Sequence, residues 1–357
     1  MKNITFLLPS HGRRPTGGYK VVYEYANRLS ANGYTVNIVY PATIFFLKQS
    51  FRKKIKCIIK YILFSLFKGY SGRKWFKLDC TVHEHYVWSL KQHHIVSSDY
   101  YVATAIETAM YLRDYKIPNQ NKIYLIQGFE NWSFPDKTVI ETYHYGFKNI
   151  VIAKWLKEIV ENSGATCTLI NNGFDFNYFH QTVKYKDKDK LCISMMYHTN
   201  TLKGCRYGFE ALHIVKKKFP KLKAYIFGVP PRPKLPSWMA YYQQPNRETL
   251  NMIYNSAAIY LGPSLTEGWG LTVGEAMICG AAVVCTDNLG YNEMAKNHIT
   301  ALVSPVKDAQ SLANNIIYLI ENDSERLKIA QNGHKFIQQF TWDTAYKKFI
   351  ATLNTQD

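Results

Sequence analysis

Glu267 and Glu275 have seven residues between them in the stretch TEGWGLTVGEAMICGAAVV, 266–284, and Gly268, Gly270 and Gly274 lie among them. A carboxylate accepts hydrogen bonds from a ligand's hydroxyls. Glycine lets backbone N–H groups come close to a ligand, and the start of a helix favours an anion. A ligand with both a diphosphate and hydroxyl-rich rings suits that combination, and a nucleotide sugar is such a ligand. The glycine spacing, GxGxxxG, is one residue longer than the dinucleotide fingerprint. Taken alone, the two acids fit an ordinary loop with a surface glutamate and a helix-start glutamate equally well.

The elements around them say where they sit. The apolar run 258–262 reads as a buried strand and 271–279 as a helix. The acids therefore fall on a strand-to-helix loop and the turn after it, at the carboxyl edge of a parallel sheet, where such folds bind ligands. The same alternation opens the chain. Residues 4–8 form a short strand; Val21, Val22, Tyr25, Ala26 and Leu29 recur at helical spacing; Asn32-Gly33 stops that helix; and 35–40 is rich in β-formers. That is a βαβ unit, hence a parallel sheet with right-handed crossovers. Further strands are expected at 100–105, 122–126, 149–152 and 167–170, with a helix at 153–162. The polar stretch HQTVKYKDKDK, 180–190, reads as a linker or surface turn. Beyond it, strands at 191–196, 222–228, 258–262 and 282–285 alternate with helices at 205–219, 247–256, 271–279 and 309–321. The pattern predicts two doubly wound α/β domains joined near residue 180.

At 357 residues the chain is long enough for two cores, and its net charge is +18. Such a charge calls for an anionic partner: nucleic acid, a membrane surface or a phosphorylated substrate. Zinc-finger spacing and RNA-recognition motifs are absent, so no nucleic acid is expected. The charge is concentrated in IFFLKQSFRKKIKCIIKYILFSLFKGYSGRKWFK, 44–77, which holds ten Lys or Arg and no acid. Phe51, Ile55, Ile58, Ile59, Ile62, Leu63 and Leu66 fall on one helical face, with Lys53, Lys54, Lys56 and Lys60 off it. A basic amphipathic helix of this kind lies in the plane of an anionic membrane, with Phe51 and those four lysines as its contacts. An amphipathic helix packed on its own domain has the same pattern. No apolar run reaches the roughly 18 residues a spanning helix needs, and 3–9 is too short for a secretory core. The seven cysteines, without a CxxC, read as reduced thiols of a cytosolic protein. Asp187-Lys188-Asp189 has the spelling of a metal-binding DxD motif, but in a lysine-rich turn it reads as solvated charge. The histidines of VHEHYVWSLKQHHIV, 82–96, lack HExxH and read as a polar or partly buried cluster rather than a metal site.

PSLTEGWGLTVGEAMICGAAVVCTDNLGYNE resembles the signature of the retaining glycosyltransferases of family 4, P-S-x-x-E-G-F-G-L-x-x-x-E-A-M-A-x-G-x-P-V-V followed by G-x-x-E. Pro263, Ser264, Glu267, Gly268, Gly270, Leu271, Glu275, Ala276, Met277, Gly280, Val283, Val284, Gly290 and Glu293 match in register. Trp269 replaces the usual Phe and Ala282 the usual Pro. INNGFDFNYF (170–179), HTNTLKGCRYGFEAL (198–212) and PTGGYKVVYEYANRLSANGYTV are similar to the family's domain junction, basic donor segment and glycine loop with first helix; 42–95 resembles nothing in it.

The resemblance implies the GT-B fold: two doubly wound, Rossmann-like parallel-sheet domains facing across a cleft. Residues 1–173 would form the acceptor-side domain, with a helix at 341–357, after Phe340-Thr341-Trp342, packing back on it. Residues 174–340 would bind the nucleotide sugar. Glu275 would hold the ribose hydroxyls and Glu267 the donor sugar near its reacting carbon. Backbone N–H groups of Gly268, Trp269 and Gly270, with the helix start at Leu271, would hold sugar and phosphate. Lys203 would neutralise the leaving diphosphate, whose charge grows in the transition state. The family's arginine is His198 here, and a histidine is cationic only below about pH 6.5 unless its pKa is raised. Diphosphate binding thus rests more on Lys203, or on another base such as Arg206. Gly17 and Gly18 would bring backbone to the donor phosphates or the acceptor; a plain turn is the alternative. Gln127 and Glu130, in YLIQGFENW, are acceptor-side candidates with structural roles weighing equally. Bases and helix dipoles hold the diphosphate in this family, so neither metal nor cofactor is expected, and no catalytic base is assigned.

The expected activity is transfer, with retention, of a sugar from a nucleoside-diphosphate sugar to a hydroxyl of a lipid-linked or growing surface polysaccharide of the O-antigen or capsule type. The protein would lie at the cytoplasmic face of an anionic membrane held by 44–77. The alternatives are a GT-B nucleotide-sugar epimerase, against which the basic segment argues, and a non-catalytic nucleotide-sugar or glycan-binding protein, against which Glu267, Glu275 and Lys203 argue together.

Overall fold

The computed structural model describes residues 2–45 and 50–355. Residues 46–49 of the basic segment and the last two of the expected C-terminal helix lie outside the described residues. The chain divides into two compact units, Met1–Asn172 with Asp343–Asp357, and Gly173–Trp342.

In the first unit the central strands are short apolar runs buried on both faces, as in a parallel sheet, while the edge strands are partly exposed. The strands are β1 (Asn3–Leu7), β2 (Thr35–Pro41), β3 (His83–Val87), β4 (Tyr100–Ala103), β5 (Lys122–Ile126), β6 (Lys148–Val151) and β7 (Thr168–Leu169). The helices are α1 (Gly17–Ala31), α2 (Phe51–Phe67), α3 (Ile106–Arg113), α4 (Asp136–Tyr143) and α5 (Lys154–Asn162). The sheet order is β3-β2-β1-β4-β5-β6-β7, all parallel. Order reverses between β1 and β4, so the loops leaving those strands flank the crevice where a doubly wound sheet takes a ligand.

The second unit repeats the plan with β8 (Asp189–Met196), β9 (Lys223–Gly228), β10 (Met239–Gln243), β11 (Ala257–Gly262), β12 (Ala282–Thr286) and β13 (Ala301–Ser304). Its helices are α6 (Cys205–Lys218), α7 (Arg247–Ser256), α8 (Leu271–Ile278), α9 (Ala309–Glu321) and α10 (Asp323–Ile337). The order β10-β9-β8-β11-β12-β13 reverses between β8 and β11. Gly173 and Trp342, the ends of this unit, lie side by side, because a Cβ on Gly173 would collide with the Trp342 backbone. The last helix, α11 (Trp342–Asn354), sets Phe349 against Phe6 and Tyr25, with ring centroids 6.4 and 4.6 Å apart.

Two expectations need correction. The Asp187-Lys188-Asp189 turn is not all solvated charge. Lys188 is 4% exposed, and its ammonium donates to the carbonyls of Tyr254, Asn255 and Ala257. Burial lowers its pKa to about 8. It ties β8 to the end of α7. The basic helix α2 is not packed on its own domain by its apolar stripe, the alternative form expected for it. It rests on the unit by a narrow strip, with Tyr61 and Phe64 against Tyr86 at 5.5 and 6.0 Å. No residue of it is buried, and its apolar stripe faces outward: Phe51 is 77% exposed, Leu66 71% and Phe67 74%. Lys60 is turned to the inner strip, its ammonium 5.2 Å from the centre of the Phe64 ring, and burial lowers its pKa. Among the described residues, no helix is long and apolar enough to cross a membrane.

Candidate functional site

The second sheet's reversal point brings two loops together. One leaves β8 and runs through a single 3-10 turn, Thr201–Lys203, into α6; the other leaves β11 and enters α8. Leu265 N–H donates to Leu202 C=O at 2.8 Å, stitching the loops. Gly204 makes the approach feasible: its φ is +58°, and a Cβ there would collide with the Pro263 carbonyl. A Cβ on Gly270, at φ +99°, would likewise collide with the Tyr291 ring.

This stitching carries Lys203 to Glu267. The ammonium donates to both carboxylate oxygens at 2.8 Å, and the Ser264 hydroxyl donates to one of them at 2.8 Å. Tyr291 O–H donates in turn to Ser264 Oγ at 3.1 Å, and Asn288 holds Tyr291 N–H and the Ser264 carbonyl. A Cβ on Gly290 would collide with the Glu267 carbonyl, which explains the glycine of the G-x-x-E turn. Lys203 and Glu267 are therefore held together, each partly open to solvent (side chains 26% and 12% exposed).

Glu275, in α8, is 4% exposed and accepts from Tyr254 O–H of α7 at 3.0 Å. Trp269 turns its side chain into the core, stacked against Phe174 and edge-on to Phe340. Its indole N–H is buried without an acceptor among the described residues; a Phe at this position brings no such group. His198 lies on the loop after β8. Its Nδ1 accepts the Asn200 N–H at 2.9 Å, so in the neutral ring the proton sits on Nε2. Burial, then the charge of Lys203, lowers its pKa from the usual value. It is a neutral donor beside Lys203 and not the cation the family has there. Arg206 is exposed and pairs with Glu210 at 2.9 Å along α6.

In the first unit, Gly17 and Gly18 open α1 at the β1/β4 reversal. A Cβ on Gly18 would stand 3.3 Å from the Gln127 amide, so these two candidates are neighbours. Glu130 does a different job: its carboxylate accepts the Ile106 N–H at the start of α3, and burial raises its pKa to about 8. The histidines of 82–96 do not converge. His85 pairs with Asn37, His94 with Ser89, and no group able to hold a metal ion occurs among the described residues.

Sequence reasoning missed Tyr254, which comes from another element, and the supporting roles of Ser264, Asn288 and Tyr291. Ser264, Asn288 and Tyr291 lie within or just after the signature, so position was their only signal.

Residues 178–336 match the family model described as glycosyl transferases group 1. Among solved structures the chain is similar to sucrose-phosphate synthase from Thermosynechococcus elongatus (TM-score 0.72, 16% identity, 98% of each chain covered). It is similar to Anabaena HepE in complex with UDP-glucose (TM-score 0.73, 15% identity, 100% of each chain). It is also similar to a mutant of S. aureus TarM in a complex that includes UDP (TM-score 0.71, 11% identity, 99% of this chain and 100% of that one). No curated protein sequence matches it. With two all-parallel units of this architecture the chain has the GT-B fold, and its second unit is similar to the glycosyl transferases group 1 over residues 178–336.

Proposed function

We propose that the chain is a retaining, metal-independent glycosyltransferase. It moves a sugar from a nucleoside-diphosphate sugar to a hydroxyl of a lipid-linked or growing surface polysaccharide, of O-antigen or capsule type. The observation that carries this is the Lys203–Glu267 pair at the reversal point of the second sheet. A diphosphate arriving at the loop after β8 competes with Glu267 for Lys203. As it takes the ammonium, Glu267 is released to accept hydroxyls of the donor sugar. Lys203 then opposes the charge that grows on the leaving diphosphate. In this reading Glu275 of α8, with its partner Tyr254 of α7, takes the ribose, and Gly18 and Gln127 serve the acceptor. HepE and TarM are solved with UDP-glucose or UDP, so a UDP-sugar is the first donor to try.

The outward apolar stripe of α2, with Lys53 and Lys56 beside it and no acid in 44–77, supports a peripheral seat on the anionic inner face of the cell membrane.

Melting in EDTA with UDP, GDP, ADP, dTDP and CMP, beside Glu275→Gln, tests the donor site. One nucleotide that raises the melting point of the native protein and not of the variant supports the reading and names the base. A cooperative melt that no nucleotide moves overturns it.

A further inference from the structure

The loop leaving β1, Leu8–Thr16 up to the start of α1, is braced by α2 and the chain that follows it. The His11 ring stands edge-on to Phe64 of α2, centroids 5.3 Å apart, and Lys60 sits over the same ring at 5.2 Å. Gly12 N–H donates to the Tyr70 carbonyl at 2.7 Å, and Trp75 Nε1–H donates to the Gly12 carbonyl at 2.6 Å. A Cβ on Gly12 would collide with the Tyr23 hydroxyl, so the loop has little room to move there.

From this fixed base Arg13 and Arg14 project into solvent, and neither has a partner among the described residues. The acid of β3, Glu84, does not offset them, being consumed by Tyr40, Ser71 and Arg73. The positive field is strong enough to act on His11: burial first, then Lys60, Arg13 and Arg14, lower its pKa to about 4. Arg13, Arg14 and Lys60 are thus the cations that act on His11, at the carboxyl edge of the first sheet and against the inner strip of α2.

We propose that Arg13, Arg14 and Lys60 form a site for the phosphate or diphosphate of a membrane-held lipid, the group that carries the glycan acceptor. The inference rests on the membrane reading of α2 and gives it a substrate. Guanidinium forks match a phosphate with several free oxygens. A phosphomonoester or diphosphate is therefore preferred over the singly charged diester of an ordinary headgroup.

The test is sedimentation of the full-length protein with three kinds of vesicle. These are phosphatidylcholine alone, phosphatidylcholine with phosphatidylglycerol, and phosphatidylcholine with a polyprenyl monophosphate at matched surface charge. The native protein is expected to prefer the monophosphate vesicles by about fivefold or more, the equivalent of one well-placed charge. Arg13→Gln/Arg14→Gln is expected to lose that preference and still bind phosphatidylglycerol vesicles. Lys53→Gln/Lys56→Gln is expected to weaken both and keep the preference. A preference absent from the native protein, or surviving in the arginine variant, overturns the site and leaves the membrane seat standing. Failure to bind any vesicle overturns both. Inorganic pyrophosphate in solution tests the other source of the same chemistry. If it raises the melting point of the native protein and not of the arginine variant, while no vesicle preference exists, the site serves a soluble phosphate and the lipid assignment falls.

Discussion

Lys203 has one ammonium and two claims on it. In the free protein Glu267 holds it through both oxygens, and in the proposed reaction the diphosphate must take it over. The pair thus lowers the cost of leaving two charges in a partly dry loop, and it makes Lys203 a switch between ground state and bound state. Lys203→Gln keeps a donor of similar length and removes the charge. It is expected to cut kcat/KM by roughly 10²-fold or more, as losing a donor to a developing oxyanion does. A loss under threefold in a protein that melts normally would remove Lys203 from the chemistry. His198 makes a second prediction. Its pKa is lowered by burial and by Lys203, so as pH falls through the ordinary histidine range the unfolded chain takes up a proton that the folded one resists. Stability on its account is full above that range and falls with acid. His198→Gln should therefore flatten the decline in melting point between about pH 6.5 and 5; an unchanged slope would show that other groups dominate. Both glutamates stood out in the sequence because their identities and spacing lie in one contiguous signature, and Lys203 because it lies in a second short segment, 198–212, similar to the family's basic donor segment. Tyr254 was not, since its contact with Glu275 is made across two elements and leaves no local pattern.

Helices carry the next set of forces. The spacing of Ile55, Ile58, Ile59 and Ile62 defines a stripe, and periodicity cannot say whether a stripe turns inward or outward. Here it turns outward because the inner contact is already filled by Tyr61 and Phe64 on Tyr86, and Lys60 goes inward with them. Two substitutions separate the faces. Leu66→Glu, on an exposed position, should abolish vesicle binding and leave the melting point within about 1 °C, since exposed changes away from special features cost little. Phe64→Ala removes packing on His11 and Tyr86 and should cost about 1–2 kcal/mol, less than a fully buried Phe does. If Leu66→Glu still floats with anionic vesicles, α2 is not the membrane contact. Glu130 shows the same principle at the start of α3. Its pKa is raised to about 8, so between the ordinary glutamate range and pH 8 the unfolded chain gives up a proton that the folded chain keeps. Stability on its account is full in acid and is lost as pH rises. Glu130→Gln keeps an oxygen for Ile106 N–H and does not titrate, so its melting point relative to the native protein should climb from pH 5 to pH 8. A constant difference would mean the carboxylate is more solvated than its setting implies. Buried central strands such as β5 and β11 were legible because parallel strands read as apolar runs. The edge strands β3 and β10 were not: half-exposed, they carry His, Glu and Gln where a central strand has Val or Ile.

The chain as a whole crosses between its units twice, at Asn172–Gly173 and at Trp342–Asp343, and each unit has its own sheet and its own core. Two such units need not melt as one, so a single unfolding free energy is not assured. The proposed donor site lies wholly within Gly173–Trp342, since Lys203, Glu267 and Glu275 all belong to that unit. A ligand that binds only the folded form of one unit stabilises that unit by about 2.7 kcal/mol at a hundred times its dissociation constant. For a domain of this size that is roughly 5–10 °C. Calorimetry of the full chain with and without the active nucleoside diphosphate should then show one transition moving upward and the other staying in place, with the movement absent in Lys203→Gln. Anionic vesicles should do the converse, acting on the transition that nucleotide leaves alone, because α2 and the Arg13–Arg14 loop belong to the first unit. If nucleotide instead raises both transitions together, the units are thermodynamically coupled, and occupancy of the proposed donor site is felt in the first unit before any acceptor arrives.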